Sequence, residues 1–354
     1  MKKKKLLALL GGICLVLILV ALPFMSACAK PAPAPAPAPV APIELKATIF
    51  IPPMVPDMKP WADMLERITE RSNGELVIEC LGGPEVIPSN DQPEAVRKGI
   101  IDMCSIPPTR YPGLNPVFEM LACAEIEPAE QRVRGTLDYI NELHHEVGLH
   151  VTGYSMYSPL QYDKPPYGTA HVLLLLERAD SPAELAGRTI GPGDVSQQEF
   201  FMKDLKMVAC PMKSSEAYSA MERGLLEAII WPLSDIPPNH WEEVGKYIID
   251  RSLLRLASVF SLINYERWKS LPKHLQDLIM EEQIRLENEI IPAYKKEGTA
   301  ESYEIMLAAG VEFITWSEED TKWFIETEHK RGFERAMRNA PEDQGEKMYK
   351  LLIK

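Results

Sequence analysis

The sequence predicts an α/β protein built on parallel sheets and carried behind an export signal and a stalk. Three observations point there. Strand-like and helix-like stretches alternate from Ile43 to about Pro232, the pattern of βαβ units rather than of a sandwich or a bundle. After the segment VFSLINYERWKSLP nearly everything is helical in pattern. Ahead of Ile43 nothing has a face to bury: there is an apolar leader and then a run of alternating proline and alanine.

Lys2 to Lys5 followed by the apolar stretch Leu6 to Phe24 has the charged and apolar regions of a secretory signal. MSAC at Met25 to Cys28 places two small residues before a cysteine and resembles the lipobox of bacterial lipoproteins, which makes Cys28 the expected lipid anchor and 1–27 the signal. An uncleaved transmembrane helix is the alternative, because the apolar run is about long enough to span a bilayer. Residues 28–43 then read as a stalk, since proline fixes an extended polyproline II path of about 3.1 Å per residue with no core contacts. Without Lys2 to Lys5 the 38 basic residues fall to 34 against 51 acidic ones, a net charge of −17. Such a body repels phosphate backbones, which excludes nucleic acid as a partner. Its length suits two domains or one large one. Cys80, Cys104, Cys123 and Cys210 have neither metal-ligand nor redox spacing; buried thiols and disulfides both stay open, and no bridge is assigned.

The elements follow in order. Ile43, Leu45, Ala47, Ile49 and Ile51 alternate as a half-buried strand. Trp61, Met64, Leu65 and Ile68 recur at helical spacing, and Asn73-Gly74 turns the chain into the strand ELVIECL. DQPEAVRKG has a proline near its start and a glycine at its end, as a helix should, and IIDMCSI follows as a buried strand. A long helix is expected over Ala129 to Val147, then strands at LHVTGY and HVLLLL, then a helical turn with Ser181 as cap and Pro182 as first residue. A helix through Phe200 and Phe201, the strand MVACP, the helix SSEAYSAMERG and the strand LLEAII complete the alternation. The helical tail includes a long stretch from His274 to Ala309 and a helix opened by SEED at Ser317 to Asp320 in the manner of a capping box.

No catalytic constellation emerges. GGPEV at Gly82 lacks the lysine and spacing of a phosphate cradle, and there is no nucleophile elbow. HHEVGLH resembles a zinc-protease motif with one residue too many: His145 and His150 are five apart and diverge around a helix, so a solvated helix end is expected. No metal or cofactor is expected, and the chain is not read as an enzyme.

The pairing of SNGELVIECLGG with AVRKGIIDMCSIPP, and above all SPAELAGRTIGPGD, VACPMKSSEAYSAMERGLLEAIIWP and NYERWKSLPKHLQDLIMEE, resemble the substrate-binding proteins of tripartite ATP-independent periplasmic (TRAP) transporters, the DctP family. The core Glu216, Tyr218, Ala220 and Gly224 carries the most specific part, and the resemblance runs from about Leu45 to the final helices. It implies a two-lobed periplasmic-binding-protein-like fold with crossing strands and a long helix spanning both lobes, with 44–168 and 257–296 forming the first lobe, and 169–256 and 297–354 the second. It implies a small organic ligand held between them, an acid or a neutral analogue, and membrane permease subunits as partners. A receptor for an ATP-driven importer and a ligand sensor for a signalling protein are the alternatives.

The family's arginine, which grips a substrate carboxylate with two prongs, aligns with Gly191 in this chain. Arg188 is three residues earlier, which on a strand points it to the opposite face. Glu227 replaces a common aspartate, and Trp231 falls where relatives place a ring over the ligand. Arg110 and Tyr111 after one strand, and Tyr154, Ser158 and Gln161 in or after another, are further expected lining residues, with Arg110 as the substitute cation.

Overall fold

The computed structural model describes residues 41–52, 55–158, 171–191, 195–250 and 258–353, with side chains from 199 onward in the helix that begins at 195. The signal, most of the stalk, Cys28 and Gln161 lie outside those residues. The first sheet takes β1 (Ile43–Ile49), β2 (Leu76–Cys80), β3 (Met103–Ile106), β4 (Leu149–Tyr157) and a later strand, β10 (Ser258–Asn264), in the order β2-β1-β3-β10-β4. The alternation in β1 does what it predicts: Leu45, Ala47 and Ile49 are buried. Helix α1 (Lys59–Arg71) closes one side of this sheet with Trp61, Met64, Leu65 and Ile68, and the Trp61 indole donates to Ser261 Oγ on β10 at 3.1 Å. Helix α2 (Gln92–Arg97) leads into β3.

The expected long helix is two. Helices α3 (Pro128–Val133) and α4 (Thr136–Glu146) are separated at Gly135, whose φ of 74° is left-handed and available to glycine without a Cβ clash. The second sheet has β5 (His171–Leu175), β6 (Thr189–Ile190), β7 (Val208–Ala209), β8 (Ala228–Pro232), β9 (Tyr247–Ile249) and β11 (Glu312–Ile314), in the order β11-β9-β5-β8-β6-β7. Helices α5 (Val195–Lys203) and α6 (Ser214–Glu222) flank it. Ser181 does not cap its turn as expected: it precedes a 3-10 turn at Pro182–Leu185 and accepts no bond from the backbone there. Ser317 does cap, accepting from Asp320 N at 3.0 Å.

Neither sheet is purely parallel. β1 pairs in parallel with β2 and β3, and β6 with β7 and β8, but β10 runs antiparallel to β3 and β4, as β5 does to β8 and β9. The reversals follow from the chain path. It leaves the first sheet after β4, returns to it at β10, and each crossing strand enters its new sheet against the direction of its neighbours.

After α7 (Tyr265–Ser270), helix α8 (Lys273–Arg285), a π turn (Leu286–Ile290) and α9 (Ile291–Ala308) form one continuous rod. Its first half buries Leu275, Ile279 and Leu286 in the first lobe's core; its second half puts Met306 in the core of the second. This is the predicted spanning helix, and the predicted two-lobed α/β fold is present. The boundary at the C-terminus needs correction. Helix α10 (Glu318–Met337) sets Phe324 edge-on against Phe200 of the second lobe, yet its last turns bury Phe333 and Ala336 in the first. Helix α11 (Glu342–Leu352) packs Met348 and Leu352 there as well, because its apolar face meets the first lobe's Cys123 region rather than the second sheet. Among the described residues no helix is long and apolar enough to cross a membrane.

At the π turn Glu287 is fully buried. Its carboxylate takes Nε and Nη2 of Arg132, both at 2.8 Å, the backbone N–H of Tyr154 at 2.7 Å and Gln283 Nε2 at 3.3 Å. Glycine at 153 is obligatory here, since a Cβ would lie closer than 3.0 Å to Glu287, Arg132 and Gln283 at once. A register shift between β4 and β10 at this point leaves the Thr152 carbonyl for Arg132, at 3.1 Å. The rod is thereby bolted to a crossing strand.

Candidate functional site

The residues expected on the second-lobe side lie on β8 and on the strand beside it. Gly191 follows β6, donates its N–H to Ala228 O at 3.2 Å, and faces the backbone of β7 so closely that any Cβ would fall within 3.0 Å of the Cys210 carbonyl. Any side chain at this position would have to push the Cys210 carbonyl away. Arg188 does not replace the absent arginine. Its Nη1 and Nη2 donate to the carbonyls of Glu177 and Arg178 at 2.6 and 2.8 Å, tying down the outer loop after β5. Glu227 has a local task too, accepting from Thr189 N and Oγ1 at 2.9 and 3.2 Å and so fixing the start of β6. Trp231 is half-buried on β8, edge-on to Trp241 with centroids 5.5 Å apart. Its indole N–H is buried and, among the described residues, has no acceptor. A buried donor without a partner costs roughly 1–3 kcal/mol, so it marks a place where a guest can supply the missing oxygen.

The expected first-lobe cation lies after β3. A 3-10 turn at Pro108–Arg110 exposes Arg110, which lines a shallow depression of about 210 Å³ with Asn90, Glu94 and Leu114. Glu94 is already claimed by Arg97 and Lys98, at 2.6 and 3.1 Å, and Arg97 foremost holds its carboxyl down to about 2. No ion pair to Arg110 is seen among the described residues, so its charge is available.

Two expected lining residues turn their hydroxyls into the core, although Tyr111 still borders the depression that Arg110 lines. Tyr111 is buried with its hydroxyl 3.1 Å from His144 Nε2, and burial pushes that hydroxyl well above its usual range. Tyr154 is buried on β4, donates to Gln131 Oε1 at 2.6 Å, and is likewise raised by burial. Position next to a strand end does not say where a ring's hydroxyl goes. Ser158 is buried at the end of β4 and is also hydrogen-bonded or otherwise engaged. The histidine cluster is corrected as well. His144 is no solvated helix end but lies in the core, stacked on Phe118 at 3.8 Å and pushed down to about 3 by burial. His145 and His150 share a hydrogen bond of 2.9 Å and stack on Tyr265 and Trp268. The four body cysteines are free.

Sequence reasoning missed a polar cluster where the lobes meet. Lys295 of α9 is paired with Asp57, and Asp235 and His171 sit in the same electrostatic neighbourhood. The only signal was an aspartate four residues past Trp231 and a lysine just after Tyr294 in α9.

Comparison with known proteins agrees with this architecture. Residues 180–331 match the family model of bacterial extracellular solute-binding protein, family 7 (DctP). The fold is similar to that of a TRAP periplasmic solute-binding protein from Desulfovibrio salexigens with bound orotic acid, with TM-score 0.70 and 18% identity over 87% of this chain and 97% of that one. It is similar also to a Bordetella bronchiseptica TRAP solute-binding protein with calcium and picolinate in its site, with TM-score 0.71 and 17% identity over 88% of this chain and 92% of that one. A third, from Rhodoferax ferrireducens with bound malonate, gives TM-score 0.69 and 17% identity over 87% and 96%. The stretch that holds Gly191 and Trp231 matches the DctP family model, and the body around it has the fold of the TRAP periplasmic solute-binding proteins.

Proposed function

We propose that this chain is an extracytoplasmic solute receptor of a TRAP transporter, which binds one small organic molecule between its lobes and hands it to membrane permease subunits. It performs no chemistry on that molecule. The observation that carries the reading is the pairing of two separate α/β cores, joined by a spanning helix, with the unpartnered indole N–H of Trp231 at the strand ends of one of them. Clefts at such strand ends collect loop residues around a guest, and closure excludes water. Lipid on Cys28 and the stalk of 28–43 keep the body at the outer face of the cytoplasmic membrane, within reach of the permease.

The solved relatives carry orotic acid, picolinate and malonate, but the arginine position is closed here by the Cys210 carbonyl. Binding is therefore built on Trp231 from the second lobe and Arg110 from the first, with Ser158 just after β4 and Gln161 three residues further along the sequence. The ligand is an organic acid paired with Arg110, or a neutral analogue held by Trp231. A thermal-shift screen of organic acids against neutral compounds, repeated on Arg110→Ala and Trp231→Ala, separates them. For an acid, Arg110→Ala loses about 3 kcal/mol, roughly a hundredfold in affinity, because closure buries the pair. For a neutral ligand that variant binds normally and Trp231→Ala does not. A ligand that binds tightly with no compaction in solution scattering overturns the receptor reading.

A further inference from the structure

Helix α9 belongs to the second lobe by its packing, with Tyr303 and Met306 in that core, but its first turn reaches into the first lobe. Lys295 Nζ is 2.5 Å from Asp57 Oδ1, with the two side chains only 3% and 4% exposed. One residue earlier, the Tyr294 hydroxyl donates to the Pro56 carbonyl at 2.7 Å. Pro56 and Asp57 form the 3-10 turn that follows β1. The turn Leu233–Asp235, which continues β8, packs on the same helix: Ser302 Oγ donates to Ser234 O at 3.4 Å. Asp235 is 7% exposed, and its Oδ1 finds no partner among the described residues. Lys295 thus pairs with the buried Asp57 of the first lobe, and the buried Asp235 of the second lobe feels the charges of both.

We propose that Asp57, Lys295 and Asp235 are a proton-sensitive latch between the lobes, which packs the junction while Asp235 holds a proton and loosens it when that proton leaves. Burial, and then the negative charge of Asp57, raise the Asp235 carboxyl to about 7, against the opposing pull of Lys295. Ionised, Asp235 is a second buried anion competing for a lysine already taken; separating the lobes returns it to water and relieves its repulsion by Asp57. The other titrating neighbours keep their state around neutrality. His171 of β5 is held down to about 4 by burial and by Lys295, and Tyr294 is raised to about 12 by burial. Asp63 of α1, which acts on Tyr294, is exposed and paired with Lys59 at 2.6 Å. The latch needs no ligand and stands whether or not the receptor reading does.

The sign is set by the raised carboxyl: the packed junction binds a proton that the separated one has given up. Its population relative to the open form should rise about tenfold from pH 8.5 to pH 6. The test is pulsed electron paramagnetic resonance on the purified, ligand-free mature chain, with one spin label on the exposed Cys80 of the first lobe. The second goes on Leu225→Cys in the second lobe, and Cys210→Ser removes a competing thiol. The expected result is that tenfold change in the ratio of short to long distances. It disappears in Asp235→Asn, which keeps native circular dichroism, and moves to lower pH in Asp57→Asn. A wild-type distribution that is the same at both pH values, an Asp235→Asn variant that keeps the shift, or a shift abolished by His171→Gln overturns the proposal.

Discussion

Replacing Arg132 by methionine removes the cation from a carboxylate that has no contact with water. Glu287 is 0% exposed and is otherwise held by one backbone N–H and one glutamine amide. Breaking a buried pair from one side costs about 3–5 kcal/mol. Arg132 keeps 18% of its own side-chain surface in solvent, so the lower end applies, about 3 kcal/mol. In a body of this size that is a fall in Tm of roughly 6–12 °C. The pH dependence has a definite sign. Burial raises the Glu287 carboxyl and Arg132 opposes it, so the variant's folded state holds a proton at Glu287 that the unfolded chain releases. The deficit against wild type is therefore small near pH 5 and grows toward pH 8. Urea unfolding followed by circular dichroism at both pH values measures it. The double variant Arg132→Met/Glu287→Gln, which keeps an acceptor for Tyr154 N–H without a charge, should lose less at pH 8 than Arg132→Met alone. A loss below about 1 kcal/mol, or a deficit independent of pH, would refute the account of this pair as a buried bolt between rod and strand.

Gly191→Ala should cost about 1–3 kcal/mol of stability, because β6 and β7 must part to admit the Cβ against the Cys210 carbonyl; a melting curve unchanged from wild type would mean the strands sit further apart than this geometry. Cys28→Ser should leave a folded body free of the membrane fraction, since a hydroxyl cannot take a thioether lipid. Fractionation showing the cleaved variant still in the membrane would remove the anchor from the proposal.

The parts of the fold that depend on local pattern were readable. The alternation in β1, the apolar stripe of α1 and the length of the α8–α9 rod all follow from residues within one or two turns of each other. Gly191 was readable as the absence of an arginine, although why no side chain fits there depends on the β7 carbonyl nineteen residues further along. What could not be read depends on partners distant in sequence. Tyr111 and Tyr154 look like loop residues until His144 and Gln131 come to meet their hydroxyls in the core. Glu287 carries no signal of its own in the sequence, since only the folded chain brings Arg132, from 155 positions upstream, against it. The antiparallel crossings were hidden for the same reason: periodicity reports that a strand exists, not which way its neighbour runs.

The positions of these two buried clusters along one helix constrain how the lobes move. Glu287 fixes the end of α8 to β4 of the first lobe, while Met306, farther along α9, is set in the core of the second. Between them lies the π turn Leu286–Ile290, where the regular helical ladder is interrupted and a rod can bend at least cost. Lys295 comes about one turn beyond it, paired with Asp57 of one lobe while its charge acts on Asp235 of the other. A bend at the π turn moves Lys295 and Asp235 together, since both ride with the second lobe, and carries them relative to Asp57. The ion pair to Asp57 is then the contact that any hinge motion must stretch, and the charge of Asp235 sets how firmly Lys295 holds it.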